Sequence, residues 1–323
     1  MMAHNILTFD VGGSAIKYAL CSDDAQLSYK GQVPTPQEVD STIEDFIGQI
    51  SSVVDSFKER NIAFDGIAIS MPGCIEDNGT MRTGGALVYN FGQNIADLVE
   101  KATSYRPAII NDAKAAAAAE LGIGSLQNVS MGAVLILGTG LGGGIIVNGQ
   151  VLNGPQGSAG ELSAFVMNCR DFEQDRACSA QIISATGLVL RVCEALGLDY
   201  VFSPHAYERQ FPLDGKKIFE LYHQGNEKVI AAIEDFGYET GKLIYNLSVV
   251  LNLEKVAIGG GISAQDCLIE AIVRGTKKAW QTNPLRSLDP PLVVMPEVCV
   301  CQFHNDANII GAMYHYLKVN KLK

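Results

Sequence analysis

Residues 6–20, ILTFDVGGSAIKYAL, and residues 133–147, AVLILGTGLGGGIIV, each carry two apolar runs joined by a glycine-rich turn. Such runs, punctuated by glycine, read as β-hairpins. The first turns through Asp10-Val11-Gly12-Gly13-Ser14 and the second through Gly138-Thr139-Gly140-Leu141-Gly142-Gly143-Gly144. Only glycine lets backbone N–H groups approach phosphate oxygens without a side chain intervening. A pair of such turns suits a chain that grips one polyphosphate from two sides, and it points to ATP-dependent phosphoryl transfer. Either turn taken alone is equally well read as a tight hairpin with no ligand.

Composition bounds this expectation. With 323 residues, 47% of them hydrophobic, the chain can bury a large core, and its length predicts two domains. A net charge of −11 argues against nucleic acid or an anionic membrane as partner, because both need a basic surface. A triphosphate must then be held by local donors and a metal ion. The eight cysteines, Cys21, Cys74, Cys169, Cys178, Cys193, Cys267, Cys299 and Cys301, are scattered and follow no secretory signal, which predicts reduced thiols in a cytoplasm. No charged residue occurs from Leu121 to Gly160, and Met131 to Val147 is long enough to suggest a membrane span. Its glycines make it a poor helix, and Asn148-Gly149 is a hairpin turn signal, so two buried strands around a phosphate loop are expected.

The first hundred residues alternate as strand hairpin, helix, strand and helix, which predicts a layered α/β domain. Ile43, Phe46, Ile47, Ile50, Val54 and Phe57 recur at helical spacing behind Asp40, Ser41 and Thr42 as N-cap candidates. Ile67 to Ser70 and Ala108 to Ile110 read as short strands, the first closed by Met71-Pro72-Gly73. Asn111-Asp112 then opens an alanine-rich helix, Ala113 to Leu121. Helical spacing is expected over Ile182 to Leu196 and Glu227 to Leu253, and Lys255 to Ile258 is a strand entering Gly259-Gly260-Gly261. Asn305-Asp306-Ala307 opens a last helix through Leu317, echoing Asn111-Asp112-Ala113. Two glycine hairpins and two Asn-Asp-Ala helix starts suggest a duplication.

Phosphoryl transfer to an alcohol needs phosphate positioning, charge neutralisation by a divalent ion and a base beside the attacking hydroxyl. Gly12, Gly13 and Ser14 are candidates for one cradle, and Gly138, Thr139, Gly140 and Gly142 for the other. Asp10, at a strand end before the first turn, is placed to hold Mg²⁺ through water, since Mg²⁺ dehydrates reluctantly. Asp112, at a strand-to-helix junction, is the candidate base. The same position equally suits an N-cap carboxylate, and so does Asp306. Lys17 either approaches a phosphate or is a solvated strand residue. Asn90, in Tyr89-Asn90-Phe91-Gly92, contacts a ligand or makes the turn.

Phe9-Asp10-Val11-Gly12-Gly13-Ser14-Ala15-Ile16-Lys17, Met71-Pro72-Gly73, Ile110-Asn111-Asp112-Ala113, the Gly138 to Gly144 loop, Gly157-Ser158-Ala159-Gly160-Glu161 and Ile258-Gly259-Gly260-Gly261 resemble, in order, the signatures of the ROK family of sugar kinases. The resemblance implies an α/β, actin-like (ribonuclease H-like) ATPase fold of two duplicated lobes with a central cleft. It places an N-terminal lobe at 1–112, rejoined by the helix 305–323, on the sugar and first-phosphate side, and a lobe at 113–304 on the nucleotide side. Asp112 falls on the family's general base, Asn111 and Glu161 on sugar-binding positions, and Gly259 to Gly261 near adenosine. Gly85 and Asn90 join the sugar-side candidates, and Asp306 becomes a structural cap. ATP and Mg²⁺ are the implied cofactors, and a homodimer is common among relatives.

The departures are equally specific. Most family members follow Gly-Glu with Ile-Gly-His and add a cysteine cluster, C-x-C-G-x-x-G-C-x-E, that completes a zinc site. Here Gly160-Glu161-Leu162-Ser163-Ala164 lacks the histidine, and Cys169 and Cys178 are too few and too widely spaced for four-ligand zinc, so none is expected. With Cys178 in register, Ala180 stands where the family has a sugar-binding glutamate. Losing two hydroxyl partners changes which sugar is accepted. Room left by Ala164 and Ala180 predicts a substituent at C1, as in the zinc-less β-glucoside kinases, which the chain resembles in Gly84-Gly85-Ala86 and Asn305-Asp306-Ala307. The expectation is a cytoplasmic kinase of a hexose or β-glucoside acting at O6. A glucokinase or N-acetylmannosamine kinase-like enzyme and a non-catalytic sugar binder are alternatives. A repressor is disfavoured, because the first strand starts at Ile6 and leaves no room for a DNA reader.

Overall fold

The computed structural model describes residues 4–85, 87–203 and 208–322. Strands of three or more residues are β1 (Asn5–Val11), β2 (Ala15–Ser22), β3 (Leu27–Pro34), β4 (Gly66–Met71), β5 (Ala108–Asn111), β6 (Gly132–Leu137), β7 (Leu141–Val147), β8 (Val201–Ser203), β9 (Glu208–Gln210), β10 (Lys255–Gly259) and β11 (Glu297–Val300). The α-helices are α1 (Ile43–Glu59), α2 (Ile95–Thr103), α3 (Asp112–Ile123), α4 (Ser179–Ile182), α5 (Ala185–Leu196), α6 (Gly215–His223), α7 (Glu227–Leu251), α8 (Asp266–Thr282) and α9 (Ala307–Val319). Among the described residues no helix is long and apolar enough to cross a membrane.

The chain divides into two compact units. One holds the residues up to Gln127, Gln150–Gly160 and those from Asn305 onward; the other holds Asn128–Gly149 and Glu161–His304.

The sheet of the first unit runs β3-β2-β1-β4-β5. β1 is antiparallel to β2 and parallel to β4, and β4 is parallel to β5. The registers Asp10↔Ser70 and Met71↔Asn111 bring the carboxyl ends of β1, β4 and β5 side by side. Ligands of α/β sheets sit beyond such strand ends. Helix α1 starts at Thr42, whose hydroxyl accepts from Asp45 N–H while the Asp45 carboxylate accepts from Thr42 N–H, a capping box. It buries Phe46, Ile50, Val53, Val54 and Phe57 against Leu7, Phe9, Ile67 and Ile69 of the sheet. The third strand, β3, was not foreseen. It lies at the sheet edge and is largely exposed, so LSYKGQVP carries no apolar run to announce it.

Helix α3 is buried nearly all round, from Lys114 through Glu120. Its alanines admit α9 so closely that a Cβ on Gly311 would lie 1.7 Å from the Ala115 carbonyl oxygen. Because α3 packs on α9, the division between the units falls after Gln127, one helix beyond the expected position at Asp112.

Within the second unit the sheet runs β11-β10-β6-β7, with β6 antiparallel to β7 and parallel to β10, and β10 parallel to β11. This repeats the β5-β4-β1-β2 pattern of the first sheet. Helices α5, α7 and α8 bury Leu188, Val192, Phe236, Ile244 and Ile272 with Val256 and Ile258. α7 and α8 also meet through glycine, since a Cβ on Gly237 would lie 2.3 Å from the Ala271 oxygen. The helix expected from Ile182 to Leu196 is broken at Ile183, because Ser184 caps a fresh helix by accepting from Gly187 N–H at 2.9 Å.

Candidate active site

In the first unit, the turn between β1 and β2 closes by Gly12 N–H donating to Ala15 O at 3.0 Å. Thr35 braces it from outside, its hydroxyl donating to Gly12 O at 2.8 Å and its N–H to Ser14 O at 3.3 Å. The N–H groups of Gly13 and Ser14 take no partner among the described residues, and both residues are exposed. A Cβ on Gly13 would meet nothing nearer than 3.8 Å. Internal packing therefore does not require glycine there, and an approaching anion would.

Asp10 ends up 9% exposed, with its Oδ1 accepting from Asn308 Nδ2 at 3.0 Å. Burial pushes its carboxyl above the ordinary range; the Asn308 hydrogen bond and the Lys17 charge oppose this, and the Asp112 charge adds to it. Lys17 lies opposite Asp10 in the β1/β2 register and is exposed. Asp112 is the first residue of α3, half-buried, its Oδ1 accepting from Ala113 N–H at 2.8 Å. Burial raises this carboxyl too, against the Ala113 N–H and the Asn111 amide, which favour the charged form. A carboxylate made more basic at a helix start suits proton abstraction.

The helix cap is Asn111. Its Oδ1 accepts from Ala113 and Lys114 N–H at 3.0 and 3.2 Å, and its Nδ2 donates to Gly73 O at 3.1 Å. Gly85 has φ +57°, and a Cβ there would lie 2.9 Å from Pro72 Cβ, so this glycine is set by the close approach of its own loop to Met71-Pro72-Gly73. Ala86, the next residue of that motif, lies outside the described residues. Asn90 closes a 3₁₀ turn, Val88–Asn90, and is fully buried; its Oδ1 and Nδ2 have no hydrogen-bond partner among the described residues. Such an amide is costly unless something polar meets it.

In the second unit the turn is Gly138-Thr139-Gly140, with Leu137 paired to Leu141. Gly142 is paired with Ile136 inside the ladder, so it belongs to β7 and not to the turn. Thr139 and Gly140 N–H have no partner among the described residues, and a Cβ on Gly140 would meet nothing within 4 Å. The start of α5 abuts this turn, Ala185 N–H donating to Gly138 O at 2.8 Å, which sets a helix N-terminus beside it. Gly260, at φ +94°, is fixed by its neighbour, because a Cβ would lie 2.4 Å from Leu137 O; Gly261 is open. Glu161 is half-buried ahead of the 3₁₀ turn Leu162–Ala164. The Ser179 hydroxyl donates to Leu162 O, tying that turn to α4, which carries Ala180. Cys169 is exposed and Cys178 is half-buried, and neither is in a disulfide.

The ROK family model matches residues 6–318. The chain belongs to the ROK family. It is 29% identical over 324 residues to a glucokinase of Halalkalibacterium halodurans, covering 94% of this chain and 92% of that one. An N-acetylmannosamine kinase of Haemophilus influenzae is 26% identical over 314 residues, with 95% and 94% covered. A ROK family protein of Streptococcus pneumoniae, solved in complex with sucrose, superposes with a TM-score of 0.81 at 23% identity over 99% of this chain and 100% of that one. The two sheets of this ROK protein are those of the actin-like ATPase fold.

Asp306 does not act as the expected cap. It makes no capping hydrogen bond, and its carboxylate pairs instead with Lys30 Nζ at 3.0 Å. The contact to Asp10 comes from Asn308, two residues on, which sequence reading overlooked although it directly follows Asn305-Asp306-Ala307. Thr35, Lys114 and Asn153 were also missed.

Proposed function

We propose that this ROK protein is an ATP-dependent sugar kinase that transfers the γ-phosphoryl group to the O6 hydroxyl of a hexose or β-glucoside, with Asp112 as general base. The observation that carries the proposal is one side chain: a carboxylate on the first turn of α3, at the carboxyl ends of the parallel strands, made more basic by burial. In the reaction the sugar oxygen forms a bond to the γ-phosphorus as the bond from phosphorus to the β–γ bridging oxygen breaks. The hydroxyl proton passes to Asp112, and ADP leaves. Gly13 and Ser14 in the first unit, and Thr139 and Gly140 in the second, offer unpartnered N–H groups to phosphate oxygens. The first unit then carries the sugar and one phosphate turn, and the second the nucleotide, with Gly260 and Gly261 toward the adenosine. Asn111, Gly85 and Asn90 border the sugar, and Glu161, first residue of its segment of the second unit, stands at the family's remaining sugar-binding position.

The residues present fit a Mg²⁺ ion. Asp10 and Asp112 lie near enough for the charge of one to raise the other, a repulsion that a cation relieves. Among the described residues no cluster of three His, Cys, Asp or Glu side chains forms, in keeping with an ion held largely by water and phosphate. Mg²⁺ bound at Asp10 would neutralise phosphate charge.

The exposed Ala164 and the half-buried Ala180 support acceptance of a C1 substituent. The glucokinase and N-acetylmannosamine kinase relatives support a free hexose or N-acetylhexosamine instead. ADP release across glucose, N-acetylmannosamine, cellobiose and methyl β-glucoside separates these. Preference for the glucosides is expected, clear preference for free glucose removes the C1 argument, and no release with any sugar removes the kinase.

A further inference from the structure

Lys114 is 1% exposed, a fully buried cation outside the groups the proposed chemistry uses. A buried ammonium survives only where acceptors surround it. Lys114 Nζ donates to Gly157 O at 2.6 Å, to Asn153 Oδ1 at 2.8 Å and to Asn153 O at 3.5 Å. Asn153 passes the connection on, its Nδ2 donating to Asp77 Oδ1 at 2.8 Å and to Ile75 O at 3.3 Å. Gly157 is pressed so closely on this loop, with φ +70°, that a Cβ would lie 2.2 Å from Ile75 O. At the other end, Lys114 N–H donates to the Asn111 amide that also holds Gly73 O.

Three chain segments, the loop after β4, the first turn of α3 and the strap Asn153–Gly157, are thereby tied into one network. The Lys114 side chain joins the first turn of α3 to the strap, and the Asn153 and Asn111 amides carry the connection to the loop after β4. The first leads on to Gly85, the second carries Asp112, and the third precedes Glu161 by four residues. A lysine does this because a four-carbon stem crosses the buried space and one head group offers three donors to three acceptors.

We propose that Lys114 is a positioning residue for sugar recognition. Resting on the kinase reading above, it holds Asp112 and the sugar-side loops in mutual register, and acts through them without touching the sugar itself. Displacement of reacting groups by about 1 Å costs on the order of 100-fold in rate, so loss of the clamp is felt in turnover as well as in sugar affinity.

The test is Lys114→Met in the full chain, with kcat and both KM values measured against melting temperature. The expected result is a fall in kcat/KM for the sugar of about 10- to 100-fold with KM for ATP within about twofold of wild type. Lys114→Gln, which keeps a donor, should recover part of the sugar term. Equal loss in the sugar and ATP constants, following only the folded fraction, overturns the inference. Should Lys114→Met fail to fold, Asn153→Ser removes one acceptor while leaving the cation Gly157 O. The same split in smaller degree is expected, and an unmoved sugar KM in that folded variant overturns the inference. A wild type that is active while these variants leave the sugar KM unmoved defeats the inference alone; a wild type inactive on every sugar defeats the kinase reading and the inference with it.

Discussion

Gly311→Ala isolates the packing that sets the carboxylate pair. On helix propensity alone alanine should stabilise an interior helix position by about 1 kcal/mol. At Gly311 the added methyl would sit 1.7 Å from Ala115 O, 2.4 Å from Ala115 C and 2.9 Å from Ala115 Cα. The opposing atoms are backbone, so no rotamer change relieves the overlap, and α9 must retreat from α3 by roughly 1.5 Å to restore van der Waals contact. That retreat loosens α3 against α9, where Gly311 faces Ala115 and Gly122 faces Tyr314, in a region whose Ala115–Ala119, Ile310 and Met313 are all buried. Overpacking costs about 1–3 kcal/mol or more, and a rigid opponent puts this site at the upper end, so the net loss is ~2–3 kcal/mol. In thermal unfolding of a chain this long this corresponds to a fall of roughly 3–5 °C. Activity should fall as well, because α3 carries Asp112 and α9 carries the Asn308 that holds Asp10. Gly48→Ala is the matched control: it lies within α1, where a Cβ meets nothing within 4 Å, and it should stabilise by about 1 kcal/mol. A Gly311→Ala protein that melts at or above wild type, as Gly48→Ala should, would refute the reasoning.

Asp112→Asn should retain the fold and sugar binding while kcat falls by about 10²- to 10⁴-fold, measured by ADP release and calorimetric sugar titration; near-wild-type turnover would move the base elsewhere. Gly140→Val should leave the melting temperature nearly unchanged and raise KM for ATP, because its side chain enters open space; Gly260→Ala should instead lower the melting temperature, since φ +94° and Leu137 O at 2.4 Å exclude a Cβ. Burial holds His315 neutral, lowering its pKa from 6.5 to about 4, while its hydrogen bond to Ile109 and the Asp77 charge oppose the shift. The unfolded chain takes up the proton first, so stability present above pH 6.5 is lost as pH falls from 6.5 toward 4, by about 3 kcal/mol at most. Urea titrations across that window should show the loss in wild type and a flatter profile in His315→Leu.

What the chain discloses as sequence is what local physics controls. The two hairpins were legible because glycine interrupts long apolar runs, and α1 because its apolar period and Thr42 cap agree. β3 was not, since an edge strand with Ser28, Tyr29, Lys30 and Gln32 has no buried face to pattern. Helix α7 stops at Leu251, short of the expected Leu253, because Asn252 turns into the left-handed region at φ 52°. The candidate site divides in the same way. Asp10, Asp112 and the glycine turns sit in local motifs. Asn308 bonds to Asp10 across 298 residues of sequence, and Lys114 reaches Gly157 across 43, so neither role exists until the fold brings them together.

The Asn-Asp-Ala echo shows how a duplicated plan becomes asymmetric. Both sheets use an antiparallel hairpin beside parallel strands, and among the described residues both hairpin turns leave two N–H groups unpartnered, so the proposed phosphate cradle is present twice. The step after the last parallel strand differs. Beyond β5, the Asn111 amide takes over helix capping, which leaves Asp112 half-buried with a raised pKa beside Asp10. Beyond β11, Asp306 starts α9 without capping it, and its partly exposed carboxylate is neutralised by Lys30. The same tripeptide thus yields one carboxylate suited to accept a proton and one held in a surface ion pair. The deciding residue is the asparagine: Asn111 bonds the Ala113 and Lys114 N–H groups, so Asp112 shares the helix start with it and keeps a half-buried carboxylate in place of a surface ion pair.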